Sequence, residues 1–322
     1  MKRILTGIQP SGQLHWGNYF GAIQPMLEAQ AGGNEMFFFI ADLHAFTTVR
    51  DPEVFKKNQR DIVLDYIALG LDPRKSLFWR QSDVPAHSEL AWFLMCLAPL
   101  GMLERAHSFK DKKAKGLETN SGLFTYPMLM AADILLYDAI GVPVGKDQKQ
   151  HVEMARDIAQ KFNHQFGEIF TLPEPQISKK LQTIPGLDGQ KMSKSYGNTI
   201  PIFDDEKSLR KKIMSIKTDA ISLGDPIDPK TCTVFQFHKL FENPEIAALE
   251  KKYKSGAIGF GDSKKQLFEL VWEHFAPARE RREILAKNLD EVEKIMQDGA
   301  DRAASIANKK LKQVKKAIGI SA

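Results

Sequence analysis

Short apolar runs alternate with amphipathic stretches over the first half of the chain. The apolar runs predict strands at 4–8, 36–41, 77–79 and 141–145, and the amphipathic stretches predict helices at 17–30, 52–68, 88–103 and 148–162. Apolar residues fill successive positions of the runs, which is typical of parallel strands covered on both faces. The pattern therefore predicts an α/β domain built on a parallel sheet.

The pattern changes after a boundary at about 173–185. Beyond it the chain is more charged, and its apolar spacing predicts helices at 205–216, 244–253, 263–273, 277–297 and 301–317, without a strand-rich unit. A length of 322 residues is sufficient for two domains. We expect a smaller helical domain to follow the α/β domain.

Polar residues follow several of the predicted strands. Residues 9–18 come after the first strand, Asp42 and His44 after the second, and residues 145–148 after a later one. In parallel sheets of this kind, ligands bind beyond the carboxyl ends of the strands. The sequence thus predicts a binding site at this edge of the sheet.

Two polar segments carry the strongest chemical signal. Residues 7–18 form a Gly-rich turn that contains His15 and opens onto a helix, and residues 191–195 read Lys-Met-Ser-Lys-Ser. A helix N-terminus offers unpaired N–H groups to an anion, and lysines on flexible stems supply positive charge. Either segment alone is compatible with an ordinary turn or a solvated loop. Together they suggest ATP held for attack at its α-phosphate.

These segments resemble the two signatures of the class I aminoacyl-tRNA synthetases, His-x-Gly-(His/Asn) and Lys-Met-Ser-Lys-Ser. Residues 130–134 and 144–148 are similar to segments of the bacterial, tryptophan-specific branch of that family, and the similarity runs from Ile4 to about Asn198. The resemblance implies a Rossmann-like, parallel-sheet nucleotide-binding domain with a smaller C-terminal α-helical domain.

The resemblance also implies an activity. Members of that branch activate L-tryptophan with ATP to tryptophanyl-adenylate and pyrophosphate, then transfer tryptophan to tRNA(Trp). Mg²⁺ is expected to accompany ATP, held by phosphate oxygens and water, with no structural metal in the protein. A homodimer is implied, as is a division into a catalytic domain at 1–187, joined by a last helix at about 303–322, and an anticodon-binding unit at 188–302 that includes the lysine loop.

The resemblance assigns the phosphate chemistry to groups that donate hydrogen bonds or carry positive charge: His15, Asn18, Lys112, Lys191, Ser193 and Lys194. For ATP binding it adds Gln9, Pro10, Ser11, Gly17, Gly145, Lys146, Asp147, Ile184, Met192 and Ser195 to Asn18 and the lysine loop. Lys112 is one of four lysines in a short segment, for which a solvated loop is the alternative. Many family members have an acidic residue at the position of Lys146.

The resemblance assigns tryptophan binding to Leu5, Gln9, His44, Tyr126, Met130, Asp133, Val142, Val144 and Gln148. Asp133 interrupts an otherwise apolar predicted helix, and a buried carboxylate is costly unless a donor satisfies it. Its partner is either another protein group or, as the resemblance implies, the indole N–H. Many members have Phe at the position of Leu5, so this pocket lacks a stacking ring there.

Composition excludes several other classes. The 43% hydrophobic and 26% charged content is that of a globular protein, and no apolar run reaches the roughly 18 residues of a membrane span. Cys96 and Cys232 are the only cysteines, without a Cys-x-x-Cys pair, so neither a disulfide framework nor a zinc site is expected. We expect a cytoplasmic protein.

The formal net charge of +5 is concentrated at one end of the chain. Residues 301–322 contain six basic side chains and one acidic one, which accounts for all of the excess. Such a segment is either a solvated helix face or a patch that contacts RNA, whose binding draws on released counterions.

Three other functions compete with the tryptophan-specific enzyme. A tyrosine-specific synthetase of the same architecture needs groups for a phenolic hydroxyl, usually a Tyr with an Asp, whereas Asp133 lies in an apolar, Met-containing segment. A small-molecule adenylyltransferase needs no RNA-binding helical domain. A non-catalytic tRNA-binding paralogue is expected to have lost one of His15, Gly17, Lys191 or Lys194, and all four are present.

Overall fold

The computed structural model of the protein describes residues 3–106, 109, 120–143, 145, 148–176, 184–222 and 224–320. Four of the predicted site residues lie outside these ranges, namely Lys112, Val144, Lys146 and Asp147. Their roles therefore stay predictions.

The described strands form one parallel sheet: β1 (Arg3–Ile8), β2 (Glu35–Ile40), β3 (Ser76–Arg80), β4 (Gly141–Pro143) and β5 (Glu174–Gln176). Its order is β3-β2-β1-β4-β5, so the chain first builds outwards from β1 and then returns to the other side of β1. This reversal between β1 and β4 is the kind of position at which parallel sheets bind ligands.

Helices connect and cover the strands of this sheet. After β1, α1 (Trp16–Asn18), a π-helical turn (Tyr19–Ile23) and α2 (Gln24–Ala31) form a continuous helical segment. The other helices of the α/β domain are α3 (Asp42–Ala45), α4 (Pro52–Leu69), α5 (Ala86–Leu97), α6 (Leu100–Glu104), α7 (Ser121–Leu135) and α8 (Lys149–Phe166).

The second half of the described chain is helical. It contains α9 (Glu206–Met214), α10 (Thr233–Leu240), α11 (Ile246–Ser255), α12 (Phe260–His274), α13 (Ala276–Lys287) and α14 (Leu289–Ala317). Within the described residues, no helix combines the length and the apolar character that crossing a membrane requires. The predicted fold class, an α/β sheet domain followed by a smaller helical part, is confirmed.

The sheet is buried on both faces because successive side chains of a strand point in opposite directions. Ile4 of β1 and Phe38 of β2 belong to a buried cluster shared with α2, α4 and the C-terminal helices. Their neighbours Leu5 and Phe37 belong to a second cluster, shared with α5, α7, α8 and the end of α14. The continuous apolar runs of the sequence are explained by this double burial.

Helix α14 covers the edge strand β3, and Gly299 is the residue that permits the contact. A Cβ at this position would lie 1.8 Å from the carbonyl oxygen of Phe78. The sequence prediction of a helix break between 297 and 301 is therefore wrong, because α14 runs uninterrupted from Leu289 to Ala317. The glycine serves a close approach of backbones, not a helix end.

Other element boundaries also differ from the prediction. The helix predicted at 88–103 is two helices, since Pro99 separates α5 from α6. Strand β5 and helix α10 were not predicted at all. Strand β5 has only three residues, which is too short to give a pattern. The segment Thr233–Leu240 has only a moderate apolar content, so its pattern does not predict a helix.

The basic end of the chain lies on α14, and some of its charges are used within the molecule. Lys310 contacts Asp138 at 2.8 Å and donates to the carbonyl of Ile169, and Lys315 contacts Glu89 at 2.7 Å. Three further lysines are exposed at spacings that share one side of the helix: Lys309, Lys312 and Lys316. An RNA contact of this helix stays a prediction.

Candidate active site

A cavity of about 440 Å³ opens at the carboxyl ends of β1 and β4, where the strand order reverses, and is flanked by α7. It brings together nine predicted site residues: Leu5, Gln9, His44, Tyr126, Met130, Asp133, Val142, Gly145 and Gln148. Gly7 of the Gly-rich turn also lines the cavity. No site role is predicted from the sequence for the remaining lining residues, which are Thr6, Ala22, Phe39, Ala41, Thr47, Thr48, Leu123, Ile134 and Pro143.

The wall of the cavity at β1 is shaped by Gly7. A Cβ on this residue would lie 2.4 Å from the ring of Phe39, which stands on the neighbouring strand and also lines the cavity. The glycine thus lets a large aromatic ring lie against the backbone of β1. The apolar side chains Leu5, Met130 and Val142 complete a surface suited to a flat apolar ligand.

Among the described residues of this apolar wall, Asp133 carries a carboxylate, and it is 1% exposed. Gln81 Nε2 donates to its Oδ1 at 2.7 Å, His87 Nδ1 lies 2.6 Å from the same oxygen, and His44 Nε2 lies 2.9 Å from Oδ2. From the sequence, the partner of this carboxylate is either a protein group or a ligand. In the structure, protein groups contact both carboxylate oxygens of Asp133.

These contacts decide the charge of Asp133. Burial raises the pKa of this carboxyl, but the hydrogen bonds and the electrostatic attraction of His44 and His87 together outweigh burial and bring the pKa down to about 2. The side chain is thus an ionised acceptor at neutral pH. Its two oxygens offer about four lone-pair positions, so three protein donors leave capacity for one further donor from the cavity.

The Gly-rich turn is closed by a reciprocal cap between His15 and Asn18. The Asn18 backbone N–H donates to His15 Nδ1 at 3.3 Å, and the His15 backbone N–H donates to Asn18 Oδ1 at 3.1 Å. Gly17 lies between them, and a Cβ there would come within 2.9 Å of His15 Nδ1. The spacing of the first motif is therefore the spacing of a helix cap.

The cap also selects the tautomer of His15. Because Nδ1 accepts from the Asn18 backbone, the hydrogen of the neutral ring is on Nε2, which remains a donor. Burial, and then the positive charge of Lys194, lower the pKa of His15 to about 4. At neutral pH this side chain is an uncharged hydrogen-bond donor.

This property predicts a dependence of stability on pH. Burial lowers the pKa of both His15 and His238 to about 4 in the folded protein, whereas the unfolded value is 6.5. Between these values the unfolded chain takes up protons that the folded one does not, so stability falls as the pH is lowered from about 6.5 towards 4. We expect each histidine to account for about 1–2 kcal/mol of that loss at pH 5.

The measurement is urea unfolding from pH 7 to pH 5 of the native chain and of the His15→Gln and His238→Gln variants. Each variant should lose stability less steeply than the native chain. The exposed His164→Gln variant controls for the loss of a histidine as such. Equal slopes in all four proteins would contradict the expectation.

The lysine loop is organised by the buried side chain of Asn198. Its Oδ1 accepts from the Ser193 backbone at 2.8 Å, and its Nδ2 donates to Asp188 Oδ1 at 2.8 Å and to the Lys191 carbonyl at 3.1 Å. A Cβ on Gly186 would lie 2.3 Å from Asn198 Nδ2. This glycine therefore makes room for the amide that holds the loop.

The two motifs meet in the folded chain. Lys194 Nζ donates to the carbonyls of Gly12 and Ser11 at 3.1 and 3.3 Å, and the Gly17 N–H contacts Met192 Sδ at 3.2 Å. The Trp16 N–H donates to the carbonyl of Ile200 at 3.0 Å. The predicted residues of the turn and of the loop thus form one continuous surface.

The remaining predicted residues of these two segments are also close to this surface. The hydroxyl groups of Ser193 and Ser195 are 2.8 Å apart, and Met192 N–H donates to the carbonyl of Ile184 at 2.8 Å. Pro10 is buried beside the exposed Ser11, and the Lys191 side chain is exposed.

Sequence reasoning missed Gln81, His87 and Asn198. A usable signal existed for the first, because Gln81 directly follows β3 and so obeys the same rule of strand ends that identified His44. His87, in the first turn of α5, and Asn198 carry no comparable signal. Their importance comes from contacts to Asp133 and Ser193 that are distant in sequence.

The whole chain is similar to proteins of one family. The family model for class I tRNA synthetases (W and Y) matches residues 1–276. A curated tryptophan--tRNA ligase from Rhodopirellula baltica is 53% identical over 306 residues, which cover 95% of each chain. The tryptophan--tRNA ligase of Campylobacter jejuni strain RM1221 is 50% identical over 319 residues, covering 99% of this chain and all of the relative.

A solved structure supports the same relationship. The crystal structure of tryptophanyl-tRNA synthetase from Campylobacter jejuni in complex with ADP and tryptophan superimposes with a TM-score of 0.94 at 50% identity, covering 98% of this chain and 99% of the other. A tyrosyl-tRNA synthetase from Archaeoglobus fulgidus superimposes with a TM-score of 0.64 at 21% identity and shares the fold.

Proposed function

The chain belongs to the class I tRNA synthetases of the W and Y family, and we propose that it is a tryptophan--tRNA ligase. It activates L-tryptophan with ATP to tryptophanyl-adenylate and pyrophosphate, and then transfers tryptophan to tRNA(Trp). The observation that carries this proposal is Asp133, an ionised acceptor in the wall of an apolar cavity. Gly7 and Gln9 of the Gly-rich turn line the same cavity, and Lys194 of the lysine loop contacts that turn.

We propose that tryptophan occupies the cavity with its indole N–H directed at Asp133. The indole has one donor and no acceptor, which matches an acceptor-only side chain. The apolar rim of the cavity packs on the ring, and Gln9 and Gln148 are proposed to bind the amino and carboxylate groups. His44 acts at the indole end, since its Nε2 already contacts the Asp133 carboxylate.

ATP is proposed to lie along the surface shared by the Gly-rich turn and the lysine loop. His15 donates from Nε2 to a phosphate oxygen, and the Asn18 amide donates beside it. Lys194 has three N–H donors, of which two contact the carbonyls of Ser11 and Gly12, so one remains for a phosphate. Lys191 supplies a second positive charge. The ATP contacts predicted for Ile184, Gly145 and Asp147 belong to the same proposal.

In this arrangement the tryptophan carboxylate attacks the α-phosphorus and expels pyrophosphate. Negative charge grows on the non-bridging oxygens and on the leaving group, so catalysis consists of positioning and electrostatic stabilisation. The protein supplies neutral and cationic donors for these oxygens. Mg²⁺ is proposed to accompany ATP, bound by phosphate oxygens and water, where it would balance phosphate charge.

The competing functions have less support. The relatives that align over nearly the whole chain are named tryptophan--tRNA ligases, which favours tryptophan over tyrosine. An adenylyltransferase without RNA does not explain the helical half of the chain. A paralogue without catalysis does not explain why His15, Gly17, Lys191 and Lys194 are all retained.

We also propose the predicted domain division and a homodimer. The catalytic domain is 1–187 joined by the last helix at about 303–322, in line with the packing of α14 on β3 and α5. The anticodon-binding unit is 188–302. The dimer is proposed because three large apolar side chains of the α/β domain are 56–69% exposed, namely Phe46, Trp92 and Leu100. A second copy is proposed to cover them, and the cytoplasm is the proposed location.

The test is aminoacylation of a tRNA(Trp) transcript with each of the twenty labelled amino acids in turn. We expect tryptophanyl-tRNA to accumulate with ATP and Mg²⁺ and no product with tyrosine. A tRNA(Tyr) transcript with tyrosine is the matched control for the sister specificity. Charging of tyrosine, or adenylate formation without transfer to either transcript, would contradict the proposal.

A further inference from the structure

On the side away from the cavity, the carboxylate of Asp133 is hydrogen-bonded to a series of buried side chains. His87 Nδ1 lies 2.6 Å from Asp133 Oδ1, and His87 Nε2 lies 2.9 Å from the hydroxyl of Tyr137. Both His87 and Tyr137 are fully buried, and neither lines the cavity. His87 and Tyr137 can therefore act on the proposed ligand only through Asp133.

The charge of Asp133 defines the direction of its hydrogen bond to His87. An ionised carboxylate can only accept, so His87 Nδ1 carries a hydrogen and donates it. The other ring nitrogen, Nε2, is hydrogen-bonded to the hydroxyl of Tyr137. Both nitrogens of His87 are therefore engaged, and the imidazole links Tyr137 to Asp133.

Aromatic packing gives the His87 ring one orientation. Phe39 and Trp79 lie at centroid distances of 6.1 and 6.4 Å with interplanar angles of 32° and 34°, and Tyr137 lies at 5.5 Å. Phe39 is at the same time part of the cavity wall. Because the ring is held by its neighbours, its Nδ1–H points at Asp133 without needing the ligand.

We propose that His87 is a positioning residue for amino-acid selection: it orients the Asp133 carboxylate, with Tyr137 and Gln81 as its partners, and so sets the preference for a ligand whose ring carries an N–H donor. The proposal rests on the proposed function, in which Asp133 accepts from the indole. Selectivity then depends on a histidine that the ligand does not contact.

The experiment compares tryptophan with the analogue in which sulfur replaces the ring N–H, using pyrophosphate exchange by the full-length chain. In His87→Leu we expect kcat/KM for tryptophan to fall on the order of 10- to 100-fold, the loss of one charge-assisted hydrogen bond, with the change mainly in KM. Use of the analogue should change little, so the ratio of the two substrates falls by a similar factor. A fall that is equal for both substrates is the result of a merely structural role and overturns the proposal.

His87→Asn is the conservative variant, because its side-chain N–H₂ can replace the imidazole Nδ1–H as the donor to Asp133. We expect it to restore most of the selectivity that His87→Leu loses. A pH profile adds a second readout: with one donor fewer on a buried carboxylate, KM for tryptophan should rise towards acid pH in His87→Leu and not in the native chain. Equal selectivity in the Asn and Leu variants would overturn the proposal.

If His87→Leu does not fold, Tyr137→Phe decides the matter, since it removes only the hydroxyl that orients His87. We expect selectivity to fall roughly 3- to 10-fold, as for one neutral hydrogen bond, and unchanged selectivity overturns the proposal. The native chain separates this inference from the proposed function. If native enzyme activates tryptophan but does not discriminate against the sulfur analogue, the role of Asp133 fails; if it discriminates and the His87 and Tyr137 variants do so equally well, only the role of His87 fails.

Discussion

Replacing Asp133 by Asn is expected to lower kcat/KM for tryptophan in adenylate formation by about 10²- to 10⁴-fold. Gln81, His87 and His44 all contact the carboxylate of the native chain. The Asn amide puts an N–H₂ donor in place of one of its two acceptor oxygens. The variant loses the charge-assisted bond to the indole and also leaves a buried donor without an acceptor. Both effects act on the amino-acid site, so the KM for ATP should change little.

The decisive measurement is the ratio of tryptophan to the analogue with sulfur in place of the ring N–H. The native enzyme should prefer tryptophan by up to about 10⁴-fold, and Asp133→Asn should reduce that preference to about 10-fold or less. The matched control is Asp65→Asn, which alters another buried carboxylate, held by Arg282 away from the cavity. It should destabilise the protein and leave the preference intact. If Asp133→Asn discriminates as well as the native chain, the indole is recognised elsewhere.

Replacing Lys194 by Ala is expected to reduce the rate of adenylate formation by about 10²- to 10³-fold. Lys194 already spans from the loop to the carbonyls of Ser11 and Gly12, so its ammonium is held where the proposed pyrophosphate departs. A charge that is preorganised for the transition state contributes more there than to the binding of intact ATP. The dissociation constant of ATP should therefore change much less than the rate.

Single-turnover quench experiments with saturating ATP and tryptophan measure this rate directly, and equilibrium binding gives the affinity for ATP. Lys207→Ala removes an exposed lysine from α9 and controls for the loss of surface charge. A Lys194→Ala enzyme with normal single-turnover chemistry and weakened ATP binding would show that the residue acts only in ground-state binding.

The prediction of the fold was accurate wherever local pattern reflects burial. The run at 36–41 is apolar at every position because the sheet is covered on both faces, and this could be read before any contact was known. Local signals failed where a residue serves a distant contact. The sequence predicts a helix break between 297 and 301, yet Gly299 is a glycine because the carbonyl oxygen of Phe78 lies 1.8 Å from where its Cβ would be.

The same distinction applies to the site. Motif spacing located the Gly-rich turn, because the cap between His15 and Asn18 is formed by residues three positions apart. The rule of strand ends located His44. The partners of Asp133 could not be predicted in this way, since His44 and His87 are 89 and 46 residues distant in sequence.

The sequence by itself determined the parallel α/β sheet, and it pointed to the strand ends and the two polar segments that we propose bind tryptophan and ATP, because each depends on residues close together along the chain. Only the tertiary structure decided that Asp133 is held ionised by protein donors, and that Lys194 meets the turn at Gly12. The physical reason is that a buried charge is stabilised by whichever donors the fold brings to it. Those donors come from separate elements, and no spacing rule relates them.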